Sequence, residues 1–168
     1  NESWSNWVMQ SQAEAIPGAR EFLEKANQLG IEIYYVSNRS ETHLLPTIEN
    51  MQHLELPFAD PEHVMLKQEE SSSKAERREI IKSRYKVVLS VGDQMGDFSE
   101  EPFMEEQALK EGFSSPMMDS ARAYFVILPN PMYGSFESGI YGDQSGFSEY
   151  VKNQYRRKAL DPKQDMDR

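Results

Sequence analysis

Apolar residues recur along this chain at two spacings, and each change of spacing marks a new element. Trp4, Trp7 and Val8 lie at helical spacing and predict an aromatic-faced first helix, which Pro17-Gly18 interrupts. Ala19, Phe22, Leu23, Ala26 and Leu29 repeat with helical period, and Gly30 stands where a C-cap favours a left-handed residue. Ile31 to Val36 is apolar and β-branched, a strand by length and composition. Ser37-Asn38-Arg39-Ser40 breaks it abruptly. Leu44, Leu45, Ile48, Met51 and Leu54 predict the next helix, with Pro46 in its first turns. Val64-Met65-Leu66 reads as a short strand, 69–73 as a solvated loop, and 74–84 as a helix with Ile80 and Ile81 inward. Val87 to Val91 is a nearly all-apolar strand that runs into Gly92-Asp93. Residues 103–111 read as a helix and 124–128 as a strand ending in Pro129-Asn130-Pro131. Residues 138–146 form a glycine-rich loop, 147–160 a terminal helix, and 161–168 a frayed tail; residues 1–160 are expected to form a single domain.

Strands alternating with helices, and apolar on both faces, define an α/β class with a mostly parallel sheet covered by helices in three layers. Polar residues fall where strands end: Ser37 after the first and Asp93 after the third. In open α/β sheets the crevice at the strand C-termini is where ligands bind. Composition narrows the picture. The 168 residues are 38% hydrophobic and 27% charged, enough for one core of ordinary domain size. Eighteen Lys and Arg against 28 Asp and Glu leave a net charge of −10, which disfavours non-specific binding to nucleic acid polymers. No apolar run approaches the length of a membrane span. With no cysteine, a disulfide framework, a Cys zinc site and thiol catalysis are excluded.

Three constellations carry candidate chemistry. Gly92-Asp93-Gln94-Met95-Gly96-Asp97 places two carboxylates four residues apart at a strand end. Such a pair suits a hard cation, and a turn with an Asp helix cap before Phe98 accounts equally for the spacing. Ser37-Asn38-Arg39 offers hydroxyl, amide and backbone N–H groups that suit a phosphate oxygen, and an N-cap turn has the same composition. Lys74 follows three serines and could face a phosphate, or lie on a solvated helix face. Arg77 and Arg78 are expected on that solvated face. Tyr133, after the last strand, could stack on an aromatic substrate group or pack its turn. His43, His53 and His63 form no ligand pattern and read as surface or satisfied residues. Walker, dinucleotide-binding, zinc-protease and nucleophile-elbow motifs do not occur.

Taken in order, these segments resemble the haloacid dehalogenase superfamily of phosphotransferases, and within it the class C acid phosphatases, the bacterial lipoprotein acid phosphatase and 5′-nucleotidase group. The matching stretches are Trp4-x-x-Trp7-Val8, Ala15-Ile16-Pro17-Gly18-Ala19, Tyr34-Tyr35-Val36-Ser37-Asn38-Arg39, Ser73-Lys74-Ala75-Glu76-Arg77-Arg78, Val91-Gly92-Asp93-x-x-x-Asp97-Phe98 and Leu128-Pro129-Asn130 with Met132-Tyr133-Gly134. Gln94-Met95 replaces the family's usual Asn-Leu without touching the acidic positions. The resemblance implies a magnesium-dependent phosphomonoesterase acting on nucleoside monophosphates or small aryl phosphates. Ser37 would hydrogen-bond the transferring phosphoryl group, Lys74 would stabilise its charge, and Asn38 would help bind substrate. Asp93 would hold Mg2+, Asp97 would lie near the metal or orient Lys74, and Tyr133 would stack on the base. On this basis Asp93→Asn and Lys74→Ala abolish most activity and Arg77→Ala does not.

The family's nucleophile and general acid lie in an Asp-x-Asp-x-Thr segment on a first, central strand, and no such segment occurs here. The chain begins Asn1-Glu2-Ser3 without Met, so a preceding segment carrying that strand is expected. Loss of its large apolar side chains, at roughly 2–5 kcal/mol each, would exceed the stability of a typical domain. A rival reading is a catalytically inactive protein of the same fold that binds a nucleotide or a partner; another is a mutase of the superfamily. Export, membrane anchoring through a lipid and a homodimer follow from the resemblance alone.

Overall fold

A computed structural model describes residues 2–68, 73–98, 125–130, 140–141 and 146–159. The expected helix at 103–111 and the loop around Tyr133 lie outside the described residues. The chain divides into two compact units, Asn1–Lys86 and Val87–Arg168.

In the first unit α1 (Glu2–Val8) and α2 (Ala19–Gln28) precede β1 (Tyr35–Ser40); a 3-10 turn over Glu41–His43 then leads into α3 (Leu44–His53), β2 (Val64–Lys67) and α4 (Ala75–Arg84). Gly30 ends the α2 segment as its sequence position suggests. It has φ 77°, and the Ile31 amide returns to the Ala26 carbonyl at 3.1 Å. The core is small and lies between α3 and β2: Ile48, Met51, Ala59, Val64 and Leu66, with Tyr35, Leu44 and Leu56 against it. Helical period correctly assigns Ile48 and Met51 to this core, but Leu45, Phe22 and Leu29 are exposed. A polar strap ties the N-terminal segment to α3. The Ala13 amide donates to Asn50 Oδ1 at 2.6 Å, Asn50 Nδ2 donates to the Ala13 carbonyl at 2.9 Å, and Ser11 Oγ donates to the Pro46 carbonyl at 3.0 Å.

The first strand is displaced from its expected position. It starts at Tyr35 and not Ile31, because pairing with β2 begins at Tyr35 opposite Val64. Ser37 to Ser40 therefore belong to the strand rather than to a turn after it. The two strands are parallel, with Val36 opposite Met65 and Ser40 opposite Lys67. From Val36 to Ser40 β1 advances four residues while β2 advances two, so Ser37-Asn38-Arg39 is carried on a bulge. Bulges bend a strand and re-aim its side chains, and they are enriched beside active sites.

The second unit holds β3 (Ser90–Gly92), a 3-10 turn over Met95–Asp97, β4 (Phe125–Ile127) and a late helix, α5 (Glu149–Ala159). β3 and β4 are parallel, with Ser90, Val91 and Gly92 opposite Phe125, Val126 and Ile127. The Leu128 amide extends the ladder to the Gly92 carbonyl at 2.8 Å. Phe98 is buried and stacks on Phe125, with ring centroids 4.8 Å apart, which fastens the turn after β3 to β4. Parallel pairing, with α3 between β1 and β2, agrees with the α/β class drawn from the sequence. Among the described residues no helix is long and apolar enough to cross a membrane.

Candidate active site

Two groups of polar side chains stand out, one on the β1 bulge of the first unit and one on the turn after β3 in the second. In the first unit the bulge presents Ser37, whose Oγ accepts from the Arg39 amide at 3.3 Å. That bond uses the oxygen as acceptor and leaves the O–H as a donor. Arg39 turns toward α1 and α3: its guanidinium carbon lies 5.7 Å from the Trp4 and Trp7 ring centroids, and Nη1 donates to Thr47 Oγ1 at 3.2 Å.

Arg77 does not lie on a solvated face, as its sequence context suggests. It is partly buried, and its guanidinium reaches three segments. Nη1 donates to the Ser37 carbonyl at 2.5 Å and to the Met65 carbonyl at 3.4 Å, and Nη2 donates to Asn38 Oδ1 at 2.7 Å and to the Ser73 carbonyl at 2.9 Å. One planar group thus joins Ser37 and Asn38 to the residue before Lys74. Lys74 is the N-cap of α4, partly buried, where the chain leaves the loop. The Ser37–Asn38 stretch of β1 is thereby tied to the residue before Lys74, which lies 36 residues after Asn38 in sequence.

In the second unit Asp93 and Asp97 meet on the turn after β3. Asp97 Oδ2 accepts from the amides of Asp93 at 3.0 Å and Gln94 at 3.1 Å. Asn130, just past β4, donates from Nδ2 to Asp93 Oδ2 at 2.6 Å. Burial, then the charge of Asp97 and its hydrogen bond, push the Asp93 carboxyl above its ordinary range. Asp97 therefore both closes the turn and faces Asp93, so the two readings left open by the spacing coexist in one side chain. A carboxylate pair in mutual repulsion fits a divalent cation, which would relieve it. No further His, Cys, Asp or Glu among the described residues completes a group of three. Magnesium takes one or two carboxylates together with waters and substrate phosphate, so two fit as a partial set. Tyr133 lies outside the described residues.

Two contributors were not singled out from the sequence. Asn130 follows a strand and a proline, a position that signals only a turn. Arg77 sits in a charge run, and nothing local shows that its partners are carbonyls up to 40 residues away.

Comparison with known proteins agrees with this parallel α/β fold. Residues 1–136 match the family model of HAD superfamily, subfamily IIIB (acid phosphatase). The structure is similar to that of the class C acid phosphatase from Bacillus anthracis, with TM-score 0.78 and 32% identity over 95% of this chain and 67% of that one. The same Bacillus anthracis enzyme with tungstate bound gives TM-score 0.79 at 32% identity and the same coverage. The chain belongs to the acid phosphatases of HAD subfamily IIIB, and its enzyme class is phosphomonoesterase. Acid phosphatases of this superfamily generally use a divalent metal.

Proposed function

We propose that this chain supplies the phosphate-receiving half of a magnesium-dependent phosphatase for nucleoside monophosphates, with its aspartyl nucleophile on a segment outside these 168 residues. The observation that carries the reading is the junction at Arg77. Its guanidinium ties the Ser37 carbonyl and the Asn38 side chain on the β1 bulge to the Ser73 carbonyl, so the segments that carry a hydroxyl (Ser37), an amide (Asn38) and a cation (Lys74) are joined. Phosphoryl transfer asks the protein chiefly for positioning and for neutralisation of charge on the equatorial oxygens. Ser37 Oγ–H donates to one phosphoryl oxygen and Lys74 Nζ offsets the charge that develops on the others. Asp93 and Asp97 would hold the metal, which when bound supplies positive charge to the phosphate oxygens. Asn130 keeps Asp93 oriented. Tyr133 would stack on the base.

The external segment is supported by sequence and by exposure. No Asp-x-Asp-x-Thr occurs in the chain. Strands of parallel sheets are ordinarily buried on both faces, yet Val91 is 44% exposed and Val126 41%. An added apolar strand would cover such residues.

The test is phosphate release from a nucleoside monophosphate by the full-length enzyme, with magnesium and then with chelator. We expect release only with the metal, and losses of about 10²-fold or more in Asp93→Asn and Lys74→Ala. Metal-independent turnover would overturn the magnesium assignment. Nucleotide binding without any turnover would favour the inactive-binder reading.

A further inference from the structure

We propose that Arg77 is a positioning residue that holds the Ser37–Arg39 bulge in its working geometry. The inference rests on the reading of Ser37 and Lys74 as phosphate-handling groups. It starts from a hydrogen-bond deficit. A bulge takes residues out of the regular ladder, and a backbone carbonyl left there needs a donor from elsewhere. The Ser37 carbonyl lies on this bulge, and its donor is Arg77 Nη1 at 2.5 Å. The same nitrogen reaches the Met65 carbonyl on β2 at 3.4 Å, across the stretch where the register slips.

The other arm of the fork faces the chemistry. Nη2 donates to Asn38 Oδ1 at 2.7 Å, fixing the side chain next to Ser37, and to the Ser73 carbonyl at 2.9 Å, fixing the backbone next to Lys74. Each of the residues assigned to the phosphate is thus a partner of Arg77 or the neighbour of one. A guanidinium presents its donors in a rigid planar fork, so four acceptors on three segments are fixed relative to one another at once. A lysine at this position keeps the charge, but its single nitrogen cannot span both arms. Displacement of a reacting group by about 1 Å costs on the order of 10²-fold in rate.

Arg77→Ala and Arg77→Lys in the full-length enzyme test this, with Ser37→Ala and Lys74→Ala alongside and Lys82→Ala as a surface control on the same helix. Melting temperature, kcat and KM are read for each, and Arg77→Ala is repeated with added guanidinium ion. We expect kcat to fall about 10- to 100-fold in Arg77→Ala, with KM changed less than about threefold. Arg77→Lys should melt near wild type and still lose at least about tenfold in kcat, and guanidinium should restore part of the Arg77→Ala loss. Wild-type kcat in Arg77→Lys overturns the proposal, even if Arg77→Ala does not fold. So does a loss in Arg77→Ala that follows only the folded fraction and is not rescued by guanidinium. If Ser37→Ala and Lys74→Ala are themselves fully active, the underlying reading of the site has failed instead.

Discussion

At the scale of single residues, the turn after β3 shows why its motif needs glycine ahead of the first carboxylate. Gly92 is not in the left-handed region, so its role is one of space. A Cβ there would lie 2.5 Å from both Cβ and Oδ2 of Asp97 and 2.8 Å from its Cγ. Gly92→Ala must therefore push the Asp97 carboxylate off the amides of Asp93 and Gln94. Residues that orient metal ligands typically contribute 10- to 100-fold to affinity or activity. Titrating phosphate release with magnesium should show half-saturation raised about tenfold or more in Gly92→Ala, and an unchanged titration would remove Gly92 from the site. The carboxylates themselves were legible in the sequence, because an apolar strand running into Gly-Asp is a local signal. Arg77 and Asn130 were not legible, because their importance lies in partners fixed only by the fold: Arg77 in backbone carbonyls on other strands, Asn130 in a carboxylate 37 residues away.

At the scale of elements, periodicity located the helices well and the strands less well. Ser37 was expected after a strand and lies within one, since a strand starts where its partner starts, and β2 offers none to Ile31–Tyr34. The N-terminal end of the β1–β2 pair is held by a histidine that the sequence alone leaves as either a surface or a satisfied residue. His63 is buried, with Nδ1 2.7 Å from Asp60 Oδ1 and Nε2 3.2 Å from Glu32 Oε1. The Tyr34 and Phe58 rings flank it at 4.9 and 4.7 Å, and Tyr34 also donates to Glu32 at 3.1 Å. A neutral imidazole can donate from one nitrogen only, so bonding both carboxylates requires the charged form. Burial pulls the His63 pKa down, but the hydrogen bonds to Asp60 and Glu32 outweigh it and raise the value above 6.5. Asp60, through its bond to His63, and Glu32, through bonds to Tyr85, Tyr34 and His63, are held below their ordinary range. The His63 contribution to stability is thus complete below about pH 6.5 and lost as pH rises through the raised value, while the carboxylate contributions fade only in stronger acid. Melting curves at pH 6 and pH 9 should show a larger gap between wild type and His63→Gln at pH 6. An equal gap at both would mean that His63 acts by packing alone.

At the scale of the whole molecule, the chain spans 67% of the length of the Bacillus anthracis phosphatase it matches. Among the described residues each unit shows one two-stranded parallel pair, β1–β2 and β3–β4. Parallel pairs of two strands are too small to stand as independent sheets. Among the described residues no large side chain is fully withdrawn from water, and Val87, Val88, Leu89, Val91, Val126 and Ile127 are all substantially exposed. The alternation of strands and helices made the fold class readable. The exposure of these apolar residues was not readable, because composition counts apolar residues without saying what they face. If the proposed external strand covers this surface, it has two separable effects. Burial of several large apolar side chains, at about 1.5–3 kcal/mol each, should raise the melting temperature by roughly 10 °C. The first carboxylate of its Asp-x-Asp-x-Thr should supply turnover. Co-expressing the 168-residue chain with such a strand tests both effects together, and the strand with its first Asp changed to Asn separates them. The expected result is equal stabilisation by the two strands and phosphate release with the unchanged strand alone. Cooperative melting and full turnover by the 168 residues by themselves would defeat the idea, since the nucleophile would then have to lie within this sequence.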